Sequence, residues 1–163
     1  MEKIKMKTIV LGVGNPILQD DGVGIHVANQ LKQHVNHPNV TIDEALTGGM
    51  NLLDLITGYD KAILIDAVNI RNEKDGEVKR FLLSDFSSAH SDNPHDVSLL
   101  EAIKLAKILG EKKIPCDIVI IGIVLKKMPN EFGEKLSPKI AAAVPKAVEM
   151  TINEIKNYVN FSS

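Results

Sequence analysis

Residues 8–28 read TIVLGVGNPILQDDGVGIHVA and join an apolar stretch to a glycine-rich turn, two adjacent carboxylates and the start of a helical pattern. The apolar stretch is rich in β-branched residues, which predicts a strand buried on both faces of a parallel sheet. Gly12 and Gly14 allow backbone angles that other residues resist. The stretch therefore predicts a strand, a turn and a helix. At the turn, either another group approaches the backbone closely, or Asp20 and Asp21 bind a ligand.

Dinucleotide binding is the first interpretation, because Gly12-Val13-Gly14 follows a strand. That fingerprint needs a third small residue where Ile17 stands, and its helix begins almost at once, whereas here about six residues intervene. Asp20 and Asp21 would also repel a pyrophosphate at the N-terminus of the helix. The spacing and the charge both disfavour a dinucleotide.

A metal site is the second interpretation of the two carboxylates. Side chains at the end of a parallel strand lie where α/β proteins place their chemistry. A structural role also stays open, because aspartate is a preferred helix N-cap and one of Asp20 and Asp21 is expected to cap the following helix.

Length and composition predict one domain over residues 1–163, with 44% hydrophobic and 25% charged residues. A net charge of −2 leaves no electrostatic footprint for nucleic acid or an anionic membrane. No apolar run reaches the length of a membrane span or forms a signal core, so we expect a cytoplasmic protein, and we expect a monomer. A single cysteine, Cys116, excludes an internal disulfide, and we interpret it as a small core residue.

Strand and helix patterns alternate along the rest of the chain. The predicted elements are a helix over 22–35, a strand over 40–42, a helix from 47–49 to Gly58, a strand over 62–65, an edge strand over 77–83, a helix over 97–109, a strand over 117–124 and a helix from about 136. This order predicts an α/β fold, a three-layer α/β/α sandwich with a mainly parallel, twisted central sheet of about five strands.

Three details of these elements are specific enough to test. Met50, Leu53, Leu55 and Ile56 are expected to form the buried face of the second helix. Pro145 is expected to kink or restart the last helix. The polar, serine-rich stretch 84–94 is expected to be the most mobile loop.

Two further residues join Asp21 as candidate ligands. Asp66 ends the predicted strand over 62–65 and should lie at the same sheet edge as Asp21, although an aspartate in that place is also a common turn former. His95 stands at the entrance of a helix after the polar loop, with His90 as a weaker candidate. Asp21, Asp66 and His95 would supply oxygen and nitrogen donors and leave open coordination positions, as a metal that also touches substrate requires.

The chain resembles the nickel-dependent hydrogenase maturation endopeptidases. The resemblance rests on GVGNPILQDDGVG at 12–24, ILIDAV at 63–68 and NPHDVSL at 93–99, supported by LTGGM at 46–50. It implies that Asp21, Asp66 and His95 ligate metal and form the catalytic site. It also implies an endopeptidase that removes the C-terminal extension of the precursor of a nickel-containing hydrogenase large subunit. The nickel would come with the precursor, and zinc or cadmium would substitute for it.

The loop over residues 43–49 and the identity of the attacking group each leave an alternative. Residues 43–49 depart from the compact Asp-Gly-Gly-Thr type sequence common in that family, which affects the expected contribution of this loop to substrate recognition. The chain has no Gly-x-Ser-x-Gly motif, which favours attack by water on a metal-polarised carbonyl, with Asp20 or Asp43 as a base or as a residue that supports the metal ligands. The alternative is a non-catalytic, metal-binding assembly factor that docks on the same precursor.

Overall fold

The computed structural model describes residues 6–46, 50–85 and 94–158, with the side chains of 50, 51, 94–98 and 158 left aside. The strands are β1 (Thr8–Val13), β2 (Val40–Ala45), β3 (Lys61–Val68), β4 (Val78–Leu82) and β5 (Asp117–Val124). The helices are α1 (Val23–His34), α2 (Met50–Ile56), α3 (Pro94–Ile108) and α4 (Pro138–Tyr158), with short 3-10 turns at Gln19–Gly22 and Leu83–Asp85.

The strands form one sheet in the order β2-β1-β3-β5-β4. The first four strands of that order are parallel to one another, and β4 pairs antiparallel with β5 at the edge. Every residue of β1 and β3 is buried, which explains their continuous apolar sequences. The carboxyl ends of β2, β1, β3 and β5 share one side of the sheet, which we call the carboxyl edge.

Two apolar clusters cover the two faces of the sheet. One contains Ile63 and Ile65 of β3 together with side chains of α1 and α4, and the other contains Leu64 and Val68 of β3 together with side chains of α2 and α3. Successive residues of a strand point to opposite faces, so β3 supplies both clusters. The predicted three-layer α/β/α sandwich with a mainly parallel five-stranded sheet is confirmed.

Several predicted boundaries are wrong in the same direction, since the observed elements extend beyond the predicted ones, and in β2 and β3 strand pairing accounts for the extension. β3 continues to Val68, which pairs with Val124, so Asp66 lies inside the strand and not at its end. β2 continues to Ala45, since it pairs with β1 as far as Val13. α3 begins at Pro94, which places the backbone of His95 in its first turn.

Three predictions about side chains and helix continuity are also wrong. Leu55 is 39% exposed, because the core-facing side of α2 is formed by Leu52, Leu53 and Ile56. Cys116 is exposed, since it precedes β5 at the opposite side of the sheet from the carboxyl edge. The predicted restart of α4 at Pro145 is wrong, because this exposed proline lies within one continuous helix, whereas a kink there stays a prediction.

Some predictions fall outside the described residues. These are the helix start at 47–49, His90 and most of the polar loop over 84–94. In the described part of the chain, none of the helices combines the length and the apolar character that crossing a membrane requires.

Candidate functional site

Other backbone segments of the chain occupy the space next to the glycines of the turn. Gly14 has a φ of +147°, and a side chain there would collide with the backbone oxygen of Asp21. A Cβ on Gly24 would lie 2.7 Å from the Val13 oxygen and closer still to the Ile65 oxygen. The glycines therefore let α1 and the preceding turn pack directly on β1 and β3, which accounts for them without a dinucleotide.

Asp21 lies in the 3-10 turn that connects the loop to α1, and it is only 8% exposed. One oxygen of its carboxylate, Oδ2, accepts a hydrogen bond from the backbone N–H of Asn15 at 3.0 Å. The N-cap of α1 is Gly22, and it makes no side-chain cap hydrogen bond. The expectation of an aspartate N-cap on this helix is wrong, and Asp21 lies instead in the 3-10 turn that precedes the helix.

Asp66 lies in β3 and is 2% exposed. Its Cα partner on β5 is Gly122. Leu64 and Val68, two positions to either side, belong to the cluster beneath α2 and α3, so Asp66 emerges on that face of the sheet. It lies near the carboxyl edge, where the sequence predicted it.

Asp21 and Asp66 are brought together by the packing of the turn on β3. Gly24, three residues after Asp21, packs against the backbone of Ile65, the residue before Asp66. The 3-10 turn itself also contacts β3. Two buried carboxylates therefore lie on adjoining segments at the carboxyl edge.

The third predicted ligand, His95, is described only by its backbone, in the first turn of α3. Leu99, one helical turn later, is buried in the same cluster as Leu64 and Val68. The start of α3 thus belongs to the layer that covers the face of Asp66. Among the residues that the structure describes, no group of three His, Cys, Asp or Glu side chains could hold a metal ion, so the complete ligand set stays a prediction.

Asp20 has a structural partner that the sequence did not reveal. Its Oδ1 accepts the backbone N–H of Ser137 at 2.7 Å, at the start of α4. No local signal indicates this contact, because the two residues are 117 positions apart. Asp43, the other candidate base, is exposed, and its Oδ1 accepts the backbone N–H of Glu44 at 2.8 Å.

A buried ion cluster lies far from these carboxylates, where β3 begins. Lys61, 3% exposed, places its Nζ 2.9 Å from Glu154 Oε2 and 3.6 Å from Asp117 Oδ2, and Arg80 also hydrogen-bonds Glu154. Burial acts to raise the pKa of Glu154, but the hydrogen bonds from Arg80 and Lys61 outweigh it, and the pKa is lowered. This cluster stabilises the fold and is separate from the candidate site.

Known proteins resemble this chain in sequence and in architecture. A family model described as hydrogenase maturation protease (HycI) matches residues 25–154. The hydrogenase 2 maturation protease of Escherichia coli (strain K12) is 25% identical, over 93% of this chain and 92% of the relative.

Solved structures agree with this match. The NiFe hydrogenase maturation protease HybD from Thermococcus kodakarensis is 27% identical, with a TM-score of 0.71 over 91% of this chain and 99% of that one. The hydrogenase maturating endopeptidase HybD from E. coli, 24% identical with a TM-score of 0.79 over 93% of each chain, shows the shared fold. Since the family model covers most of its length, this chain belongs to the hydrogenase maturation protease family.

Proposed function

We propose that this chain is an endopeptidase that removes the C-terminal extension of a nickel-loaded hydrogenase large-subunit precursor and recognises the precursor through its nickel. The observation that supports the proposal is the pair of buried carboxylates, Asp21 and Asp66, on adjoining segments at the carboxyl edge of a chain of this family. The expectation of a monomeric, cytoplasmic protein stays a prediction.

The donor chemistry fits a divalent metal. Asp21 and Asp66 are both buried on adjoining segments. Buried carboxylates near one another disfavour each other's charge, and a shared cation would relieve this. Asp21 and Asp66 would hold the metal together with the imidazole of His95, a donor set that suits nickel or zinc. The bound ion would polarise the carbonyl of the scissile peptide.

The protein's own residues would orient the reaction. The N–H of Asn15 fixes one oxygen of Asp21, and the β3 ladder fixes the backbone of Asp66. Water attacks the carbonyl carbon, gives one proton to a base, and the C–N bond breaks as the leaving amine gains a proton. We propose Asp43 as that base, since its carboxylate is exposed whereas Asp20 binds the start of α4.

The deciding experiment uses two preparations of the precursor, with and without nickel. After incubation with the purified protein, intact mass spectrometry should show loss of the C-terminal extension in the loaded precursor alone. Cleavage of both preparations would refute nickel-dependent recognition and indicate a self-contained metallopeptidase. Binding of the loaded precursor without any cleavage would favour the non-catalytic assembly factor.

Site variants then test the ligand set. Asp21→Asn, Asp66→Asn and His95→Gln should each abolish cleavage, because each removes one donor while keeping the size of the side chain. Asp54→Asn is the matched control, since Asp54 is an exposed aspartate on α2. A ligand variant that cleaves at the wild-type rate would have to be removed from the set.

A further inference from the structure

Large apolar side chains that are at least half exposed fall into two groups in the described part of the chain. One group comprises Ile17, Leu46, Met128 and Phe132, which are 50%, 62%, 55% and 82% exposed. Another comprises Leu105, Ile108 and Leu109 around the end of α3, with exposures of 51%, 81% and 77%. Exposed apolar side chains that cluster are a feature of interaction surfaces, so the position of each group matters.

The first group lies on the side of the sheet that carries the candidate site. Ile17 lies in the loop after β1, four residues before Asp21, and Leu46 directly follows β2. Met128 and Phe132 lie in the segment after β5. All of them therefore follow carboxyl ends of parallel strands, whereas α3 runs back along the sheet and ends at the opposite side.

Ile17 and Phe132 are held beside each other by the backbone. The N–H of Gly133 donates to the Ile17 carbonyl at 2.8 Å, and the N–H of Gln19 donates to the Gly133 carbonyl at 2.7 Å. The Asp20–Ser137 hydrogen bond fixes the same two segments a few residues further on. This part of the surface is ordered before any partner binds, which lowers the entropic cost of binding.

We propose that Ile17 and Phe132 form a docking surface for an apolar stretch of the precursor polypeptide next to the bond that is cut. The inference rests on the proposed function. Its occupant follows from continuity with the site, because the loop that carries Ile17 is tied to Asp21. The Ile17 N–H donates to Asn15 Oδ1 at 3.2 Å, and the Asn15 N–H donates to Asp21 Oδ2 at 3.0 Å. A precursor chain that brings its peptide bond to Asp21 therefore comes next to this loop.

The test is Phe132→Ala, with Ile108→Ala as the matched control of equal exposure (82% and 81%) at the other group. Steady-state cleavage of the nickel-loaded precursor should show KM raised about tenfold for Phe132→Ala, which corresponds to roughly 1.4 kcal/mol. Ile108→Ala should match wild type. The Kd of uncleaved precursor for each variant, measured in an Asp66→Asn background, should rise in parallel with KM.

The outcomes separate the two proposals. Equal KM and Kd for Phe132→Ala and wild type would overturn the docking surface while cleavage by wild type still upheld the proposed function. If wild type bound but did not cut, the proposed function would fail and the Kd comparison would still decide the docking surface. A wild-type dimer in sedimentation that Phe132→Ala dissociates would assign the surface to self-association and refute the inference.

Discussion

Gly24→Ala is the sharpest test of how the site is assembled. The added methyl group would lie 2.7 Å from the Val13 oxygen and closer still to the Ile65 oxygen. Both neighbours are backbone atoms of central strands, so no side chain can rotate out of the way. α1 must move away from the sheet, and Asp21, three residues earlier, must move with it relative to Asp66.

The size of the effect follows from opposing terms. The distance to the Val13 oxygen must lengthen from 2.7 Å to at least 3.4 Å, where ordinary van der Waals contact begins, and the closer contact with the Ile65 oxygen requires a larger shift. Overpacking of this kind costs about 1–3 kcal/mol. Alanine regains up to about 1 kcal/mol through its higher helix propensity. Because both obstructing atoms belong to the backbone, the cost should lie in the upper half of its range, and the net expectation is a loss of about 1–2 kcal/mol in the free energy of unfolding. A displacement of about 1 Å at Asp21 should also lower precursor cleavage by about a hundredfold.

Urea unfolding and the precursor cleavage assay measure the two effects separately. Gly110→Ala is the matched control, because Gly110 has a φ of +90° and open space around it. That variant should lose about 1 kcal/mol of stability through backbone strain alone and keep full activity. A Gly24→Ala protein with the stability and the activity of wild type would refute the close packing of α1 on β3.

Two further predictions concern the rest of the molecule. Glu154→Gln should lower the free energy of unfolding by about 1–3 kcal/mol at pH 7, because the buried Lys61 loses its nearest charged partner and keeps the more distant Asp117, at 3.6 Å. Since the pKa of Glu154 is lowered in the folded state, its stabilising contribution is present above the ordinary value of 4.5 and is lost as the pH falls through the folded pKa. Urea titrations from pH 3 to 7 should therefore show a smaller acid loss of stability in the variant than in wild type, and equal losses would contradict the ion cluster. Cys116, being exposed, should react with a thiol reagent in the native protein as fast as in urea, whereas strong native protection would show it to be buried.

Local sequence patterns predict part of the candidate site. The position of Asp21 and Asp66 at the carboxyl edge could be predicted from sequence, because each follows or belongs to an apolar strand and parallel strands bring their carboxyl ends to one edge. Their role as ligands stays a prediction. The role of the glycines could not be predicted. A glycine pattern indicates that something approaches the backbone, and only the packing of α1 on β3 shows that the approaching group is the chain itself.

The errors have a common cause. The apolar run that predicts β3 ends before Asp66, but pairing with β5 extends the strand to Val68, whereas pairing with β1 stops at Ile65. Leu55 and Cys116 were predicted as buried from their residue types, although burial depends on which surface the neighbouring elements cover. The type of a residue indicates its preference for burial, but it does not indicate whether a neighbouring element covers its side chain.

The layer architecture of this protein can be predicted from the amino-acid sequence. The spacing of apolar residues that distinguishes strands from helices is a local property, and the two spacings alternate along the chain. Tertiary structure alone decided the contacts between distant segments, such as Asp20 with Ser137, Gly24 with Ile65, and the Lys61–Glu154 ion pair. The physical reason is that hydrogen bonds, close backbone approaches and buried charges depend on distances between atoms far apart in sequence, which no local pattern encodes.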